Sequence, residues 1–265
     1  MKKFFYLLML TGILFTACKK DDDSEDSQGD EQSQTLAPTQ EQRGFAINYT
    51  GSWCYYCGQW GAGLIHDYAN EAPDGAVICA HTGDPMSNPL FNSFTSDRTT
   101  GGGVPSFWVG DVKIDQDNVN SAMPALLNQT PVAGVDFNYS VKDGEMKVDV
   151  MVKFFEQTQG DYYLSVLVLE DGIPGGNDAP SDYQQNGTSD PNYKHDFVLR
   201  ASATGNLAYG ESIAVNPAKD EEVTKSYTIN VESSWDDIYA VCIVWKYDNS
   251  NGKPYYKYIN SLKKK

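Results

Sequence analysis

Cys54 and Cys57 stand three positions apart in NYTGSWCYYCGQW, residues 48–60. Thiols at that spacing serve as a redox pair, as half of a zinc site, or as a structural staple. Structural zinc takes four ligands, usually a second cysteine pair or two closely spaced histidines. The other candidates, Cys79, Cys242, His66, His81 and His195, are isolated from one another along the chain. No metal and no cofactor is therefore expected, and the contest is between exchange chemistry and an inert disulfide. Tyr55 and Tyr56, between the cysteines, bring no charge to tune a potential. Their rings could bind an apolar peptide beside the sulfur, or be plain exposed tyrosines. Cys79 in VICAH and Cys242 in YAVCIVW sit in apolar runs and read as small buried residues, with a bridge between them as the alternative. His81 ends a strand, at the edge where α/β folds place ligands. It either trades protons with the pair or is a hydrogen-bonded structural histidine.

The elements that must position these residues follow from periodicity. FAINY suits a short buried strand, GSWC a turn, and Gln59–Ala72 a helix that stops before Pro73. GAVICAH (75–81) reads as a second buried strand. NPLFNSFTSD (88–97) reads as a short helix with Phe91 and Phe94 on one face. PSFWV and VKI, joined by Gly110–Asp111, form a hairpin. A last helix over 117–129 is kinked or shortened by Pro124. This order of strands and helices, with the cysteine pair opening the first helix and GVPSF before the third strand, resembles the thioredoxin plan over about 45–130. The resemblance implies that Cys54 lies at a helix N-terminus, where unpaired N–H groups favour a thiolate. Cys54 would then attack and Cys57 resolve the mixed disulfide. Pro105 would face the pair, the Val104 backbone would pair with a substrate strand, and Trp53 would shield one side. Where thioredoxins carry a buried acid, six residues before the first cysteine, this chain has Asn48, which accepts no proton.

Beyond Pro131 the pattern changes to alternating or apolar runs separated by turn residues, with Asp143–Gly144 as a strong hairpin signal. Six or seven strands without helices suggest an antiparallel sandwich. A long irregular stretch, 171–194, interrupts it. Its Asp171, Asp178, Asp182 and Asp190 match no calcium-loop spacing and read as a solvated loop.

The ends decide the compartment. MKKFFYLLMLTGILFTAC has two lysines, an apolar run and small residues before Cys18. A membrane span needs roughly 20 apolar residues, so this run is a secretory signal rather than a span. FTAC resembles a lipobox, which makes Cys18 the lipidated N-terminus; an ordinary cleaved signal is the alternative. The acidic, polar stretch that follows cannot offset its ordering entropy and is expected to be a disordered tether. CKKDDD also resembles the signal that sends Bacteroidetes lipoproteins to the cell surface. With 20 Lys and Arg against 36 Asp and Glu, the net charge of −16 argues against nucleic acid. Lys263–Lys265 read as a solvated tail.

Together, YTGSWCYYC, VICAHTGD and VLEDGI…QNG…KHDFVLRA resemble the 28-kilodalton outer-membrane protein family of Bacteroidetes lipoproteins. The resemblance implies an outer-membrane lipoprotein, facing the periplasm or the cell surface, with adhesive or receptor roles suggested for the family. The expected organisation is a signal peptide over 1–17, an acidic tether over 18–42, a thioredoxin-like α/β domain over 43–131 and an antiparallel β-sandwich over 132–265. The expected function is thiol–disulfide exchange on envelope proteins by a chain held to the membrane through its lipid. The alternative is a binding or adhesion module for extracellular ligands, in which the disulfide is only structural.

Overall fold

FAINYT and AVICAH carry almost no polar alternation, the pattern of strands covered on both faces. In the computed structural model, which describes residues 35–175 and 192–265, they are β1 (Phe45–Thr50) and β2 (Ala76–His81), and every residue of both is buried. They pair in parallel, with Asn48 opposite Cys79 and Thr50 opposite His81. The connection runs through a π-helical stretch at Cys57–Gly61 into α1 (Ala62–Glu71). After α2 (Leu90–Thr95) comes β3 (Ser106–Val109), antiparallel to β1, which turns into β4 (Val112–Lys113). Gly110 takes φ +54° in that turn, a value that suits glycine. In α3 (Ala122–Leu127) Pro124 falls in the first turn, where its missing N–H costs nothing. Residues 117–121, expected to be helical, are instead turns.

The second half is built from longer strands. β5 (Ala133–Lys142) and β6 (Glu145–Phe154) form the expected hairpin, with Asp143 and Gly144 both at positive φ. β6 alternates buried and open positions, so it shows one face to a core and one to water. With β12 (Glu222–Asn230) these strands make a three-stranded antiparallel sheet, ordered β12-β6-β5. The central strands β7 (Asp161–Glu170) and β13 (Ile238–Asp248) are covered on both faces. Val166, Val168, Cys242 and Val244 pack toward the small sheet, while Leu167, Leu169, Ile243 and Trp245 face the larger core. β14 (Tyr255–Lys264) pairs with β13.

The strands beyond residue 131 do not close a sheet of their own. β10 (Val198–Ser202) pairs antiparallel with β7 and parallel with β2, where Val198 meets Cys79 and the Cys79 N–H donates to Phe197 O at 2.7 Å. One mixed sheet results, ordered β14-β13-β7-β10-β2-β1-β3-β4, with β11 (Glu211–Val215) also on β7. Between β7 and β10 lie the two-residue strands β8 (Ile173–Pro174) and β9 (Lys194–His195). The change of pattern at residues 131 and 132 thus marks a change of strand type within one compact unit, Thr35–Lys265.

Two terminal expectations are corrected. The end of the expected tether, from Thr35, is held in place: Ala37 N–H donates to Asp136, and Gln42 is buried beside Asn260, which bonds the neighbouring backbone. The C-terminal lysines are not a free tail. Lys263 and Lys264 belong to β14, Lys264 pairs with Asp136 at 2.7 Å, and Lys265 reaches Asp171 and Asp237. The run reads as solvated in sequence because its carboxylate partners are far away along the chain.

Arg98 is fully buried where the two halves meet. Its guanidinium donates to Asp111 at 2.6 Å, to Tyr256 O at 2.8 Å and to Gly110 O at 3.2 Å, with Asp97 alongside and the Trp245 ring 4.9 Å away. Asp97 in turn bonds Tyr209 Oη and the Tyr256 N–H. Removing one partner of a buried charge network costs about 3–5 kcal/mol, since the other charges are left uncompensated. Arg98→Met should therefore lower the thermal midpoint by roughly 10 °C or more, measured by circular dichroism. An unchanged midpoint would show that the halves cohere without this charge.

Candidate functional site

The disulfide forms where β1 gives way to a helix. Cys54 N–H donates to Gly51 O at 3.0 Å, closing the turn, and helical backbone begins at Tyr55. Cys54 and Cys57 are bonded, with Cα atoms 5.3 Å apart. The Cys57 N–H points at Cys54 Sγ from 3.2 Å, and Val104 O lies 3.5 Å from the same sulfur. The Val104–Pro105 peptide is cis. Gly61 lets the helix approach this loop, because a Cβ there would sit 3.2 Å from Pro105 Cβ. Cys54 is the less buried residue of the pair, 5% exposed against 0% for Cys57. An N–H dipole aimed at one sulfur favours negative charge on it once the bond opens.

Aromatic side chains surround the pair. Trp53, Tyr55, Tyr56 and Trp60 are all at least two-fifths exposed, unusual for large rings in one short segment. Trp53 is fixed by its Nε1–H donating to Thr82 O at 2.8 Å. Tyr55 and Tyr56 meet edge to face. Trp60 lies over Phe107 and, with Leu64, Pro105 and Ile114, lines a groove of about 510 Å³. Trp60 is not among the residues singled out from sequence, although its four-residue spacing from Tyr56 places the two along one helical side.

Behind the pair the sheet is polar. Asp84 Oδ2 accepts the Ser52 N–H at 2.7 Å and bonds His81 Nδ1 at 2.7 Å. Burial would raise the Asp84 carboxyl, but the His81 hydrogen bond and charge, with the Ser52 and Met86 N–H groups, hold it below the usual range. His195 packs against both His81 and Tyr193. Burial, reinforced by His81 and opposed by Asp84, pushes its imidazole down to about 3. Burial pushes the Cys79 thiol up. Asp84 was missed in sequence; its signal was the i, i+3 spacing from His81 in AHTGD.

Of the residues singled out from sequence, Cys54, Cys57, Trp53, Val104 and Pro105 converge, with Tyr55 and Tyr56 on the outer side. Cys79 and Cys242 are free, buried and in different core clusters, so no bridge joins them. Asp171 is engaged by the Phe197 N–H, Tyr239 Oη and Lys265. Asp178, Asp182, Asp190 and Cys18 lie outside the described residues. Among the described residues no three His, Cys, Asp or Glu side chains are placed to hold a metal ion.

A family model described as outer membrane protein Omp28 matches residues 108–255, more than half of the chain. The chain belongs to the Omp28 family of outer membrane proteins. The disulfide precedes the matched stretch, so membership in the Omp28 family does not itself speak for the cysteines. A solved structure, HBP35 of Porphyromonas gingivalis, is similar in fold, with a TM-score of 0.64 at 17% identity over 86% of this chain and 76% of that one. No curated protein matches. Among the described residues no helix is long and apolar enough to cross a membrane, which says nothing of a crossing by strands.

Buried His195 is expected to make the stability of this Omp28 protein sensitive to acid. Its folded pKa lies below the ordinary 6.5, so its contribution is present above that value and lost as pH falls toward the folded pKa. Between pH 7 and pH 5 the loss is at most about 2 kcal/mol. The urea midpoint should fall over this window, and less steeply in His195→Gln. A flat wild-type midpoint would contradict the buried, neutral imidazole.

Proposed function

We propose that this outer membrane protein is a lipid-anchored thiol–disulfide exchange protein acting on envelope proteins, with a thioredoxin-like unit over residues 43–131. The observation that carries the reading is the Cys57 N–H on Cys54 Sγ at the start of a helix. That geometry favours Cys54 as the leaving or attacking thiolate, with Cys57 turned inward to resolve. The order of elements supports it, as do Val104 and Pro105 beside the sulfur. The exposed rings of Trp53, Tyr55, Tyr56 and Trp60 supply an apolar surface for an extended segment of a substrate protein. Cys18 is proposed as the lipidated residue, holding the folded unit at the outer membrane.

The same aromatic surface favours a second reading, a binding or adhesion module for extracellular ligands in which the disulfide is a staple. Trapping separates the two. Cys57→Ser should accumulate mixed disulfides with envelope proteins through Cys54, and Cys54→Ser should trap none. Diagonal electrophoresis of cell envelopes reads both. Empty lanes for Cys57→Ser would leave the staple.

The anchor is tested independently. Cys18→Ser should move the protein out of the membrane fraction without altering its circular dichroism. Retention after a high-salt wash would exclude lipidation at Cys18.

A further inference from the structure

Tyrosine recurs in YDNSNGKPYYKY, residues 247–258, which runs through the turn from β13 to β14. Side chains alternate between the two faces of a strand, so register decides which of them meet. Tyr247 stands opposite Tyr256, and Trp245, on the same face as Tyr247, stands opposite Tyr163 of β7. Tyr163, Tyr247 and Tyr256 therefore gather on one face. The Tyr163 and Tyr256 planes meet at 82° with centroids 5.1 Å apart, and Tyr256 lies flat on Tyr209 at 4.2 Å. The turn is closed by the Gly252 N–H on Asn249 O and the Ser250 N–H on Asp248 Oδ1. It brings Lys253 to the tyrosine corner. With Ser93 and Ser96 from the end of α2 and the exposed Leu207, these residues line an open cleft of about 460 Å³.

The walls are fixed before any ligand arrives. Tyr209 Oη bonds Asp97 and Phe94 O, and the Tyr256 N–H donates to Asp97, so the tyrosine corner hangs on the Arg98 network. Ser93 Oγ accepts the Ala208 N–H and keeps its own proton to give. Ser96 Oγ donates to Ser93 O and keeps lone pairs to accept. Among the described residues no carboxylate lines the cleft and Lys253 makes no ion pair. Asp97, next to Ser96, pairs with Arg98, and Asp248, at the start of the turn, pairs with Lys257. In a chain of net charge −16 this leaves an unpaired cation beside uncharged rings and hydroxyls.

We propose that this cleft binds an acidic saccharide, a pyranose unit that carries a carboxylate. The C–H groups on one side of a pyranose, polarised by the attached oxygens, lie against the electron-rich face of a tyrosine. Its hydroxyls both donate and accept, as the two serines require. Its carboxylate meets Lys253 in a charge-assisted hydrogen bond. A neutral sugar would leave Lys253 unused, and a flat aromatic acid would leave the serines unused. The volume lies within the range of small-ligand sites, about 300–1,000 Å³. The cleft shares no residue with the groove beside the disulfide, so the assignment goes beyond the exchange reading and holds whether or not the cysteines exchange.

The test titrates the full mature chain with trigalacturonate, following the tyrosine ring signals by NMR and the affinity by calorimetry. Binding should shift the ring signals of Tyr163 and Tyr256. Maltotriose, a neutral counterpart, should bind about fivefold more weakly, the upper end of what an exposed ion pair contributes. Lys253→Gln should abolish that preference while changing maltotriose binding less than about twofold. Tyr163→Leu should weaken both ligands by about fivefold, through loss of the ring face. No binding of trigalacturonate would overturn the assignment, as would binding that both variants leave intact. Equal affinity for the two trisaccharides would overturn it too, as would tighter binding of phenylpropionate, which marks an aromatic-acid site. Lys253 lies in an exposed turn, so its variant carries the test should Tyr163→Leu fail to fold.

Discussion

A buried guanidinium sits where the two halves of this chain meet and bonds to both. Arg98 leaves water completely, which is tolerable only because its donors meet Asp97, Asp111 and two backbone carbonyls and its plane is enclosed by aromatic rings. Asp111 comes from the β3–β4 turn, whereas Tyr256 and Trp245 come from the last two strands. The network thus joins the sheet beside the disulfide to the strands of the C-terminal half. A lysine offers one point charge and could not serve these directions together.

The consequence is felt at the disulfide. β2 is pinned on one side to β1 and on the other to β10, so the loop after it leaves the sheet at a fixed place. From that loop Thr82 holds Trp53 and Asp84 holds the Ser52 backbone. The cysteine turn is therefore clasped by a segment whose own position depends on the C-terminal strands. His195, delivered by the connection between β7 and β10, closes over the polar side chains behind the pair from that side. An N-terminal piece cut at residue 131 would lack both β10 and His195.

Much of this was legible in sequence, and the rest was not for identifiable reasons. The strands FAINYT and AVICAH, the short helix at 90–95 and the Asp143–Gly144 hairpin are local, and periodicity or turn chemistry reveals them. The cysteine pair is visible by spacing alone. Arg98 is not, because it sits in TSDRTTGGG, a stretch that reads as solvated until its distant partners arrive. The pairing of β10 with β2 joins residues more than a hundred positions apart, and no periodicity encodes it. For that reason a change of texture at residue 131 looked like a boundary between two cores. The clasp by Asp84 shows an intermediate case: its spacing from His81 is in plain view, but its bond to Ser52 is a property of the fold.

The central claim is that the disulfide exchanges rather than merely staples. Its most direct test is the reduction potential of the Cys54–Cys57 pair, measured by equilibrating the chain with glutathione and quantifying the reduced fraction. A helix-start pair with an N–H directed at one sulfur should be reducible in that couple, with a potential above roughly −300 mV. A bridge that stays oxidised, with a potential below that value, would contradict the account and leave the aromatic surface as the functional feature of the site.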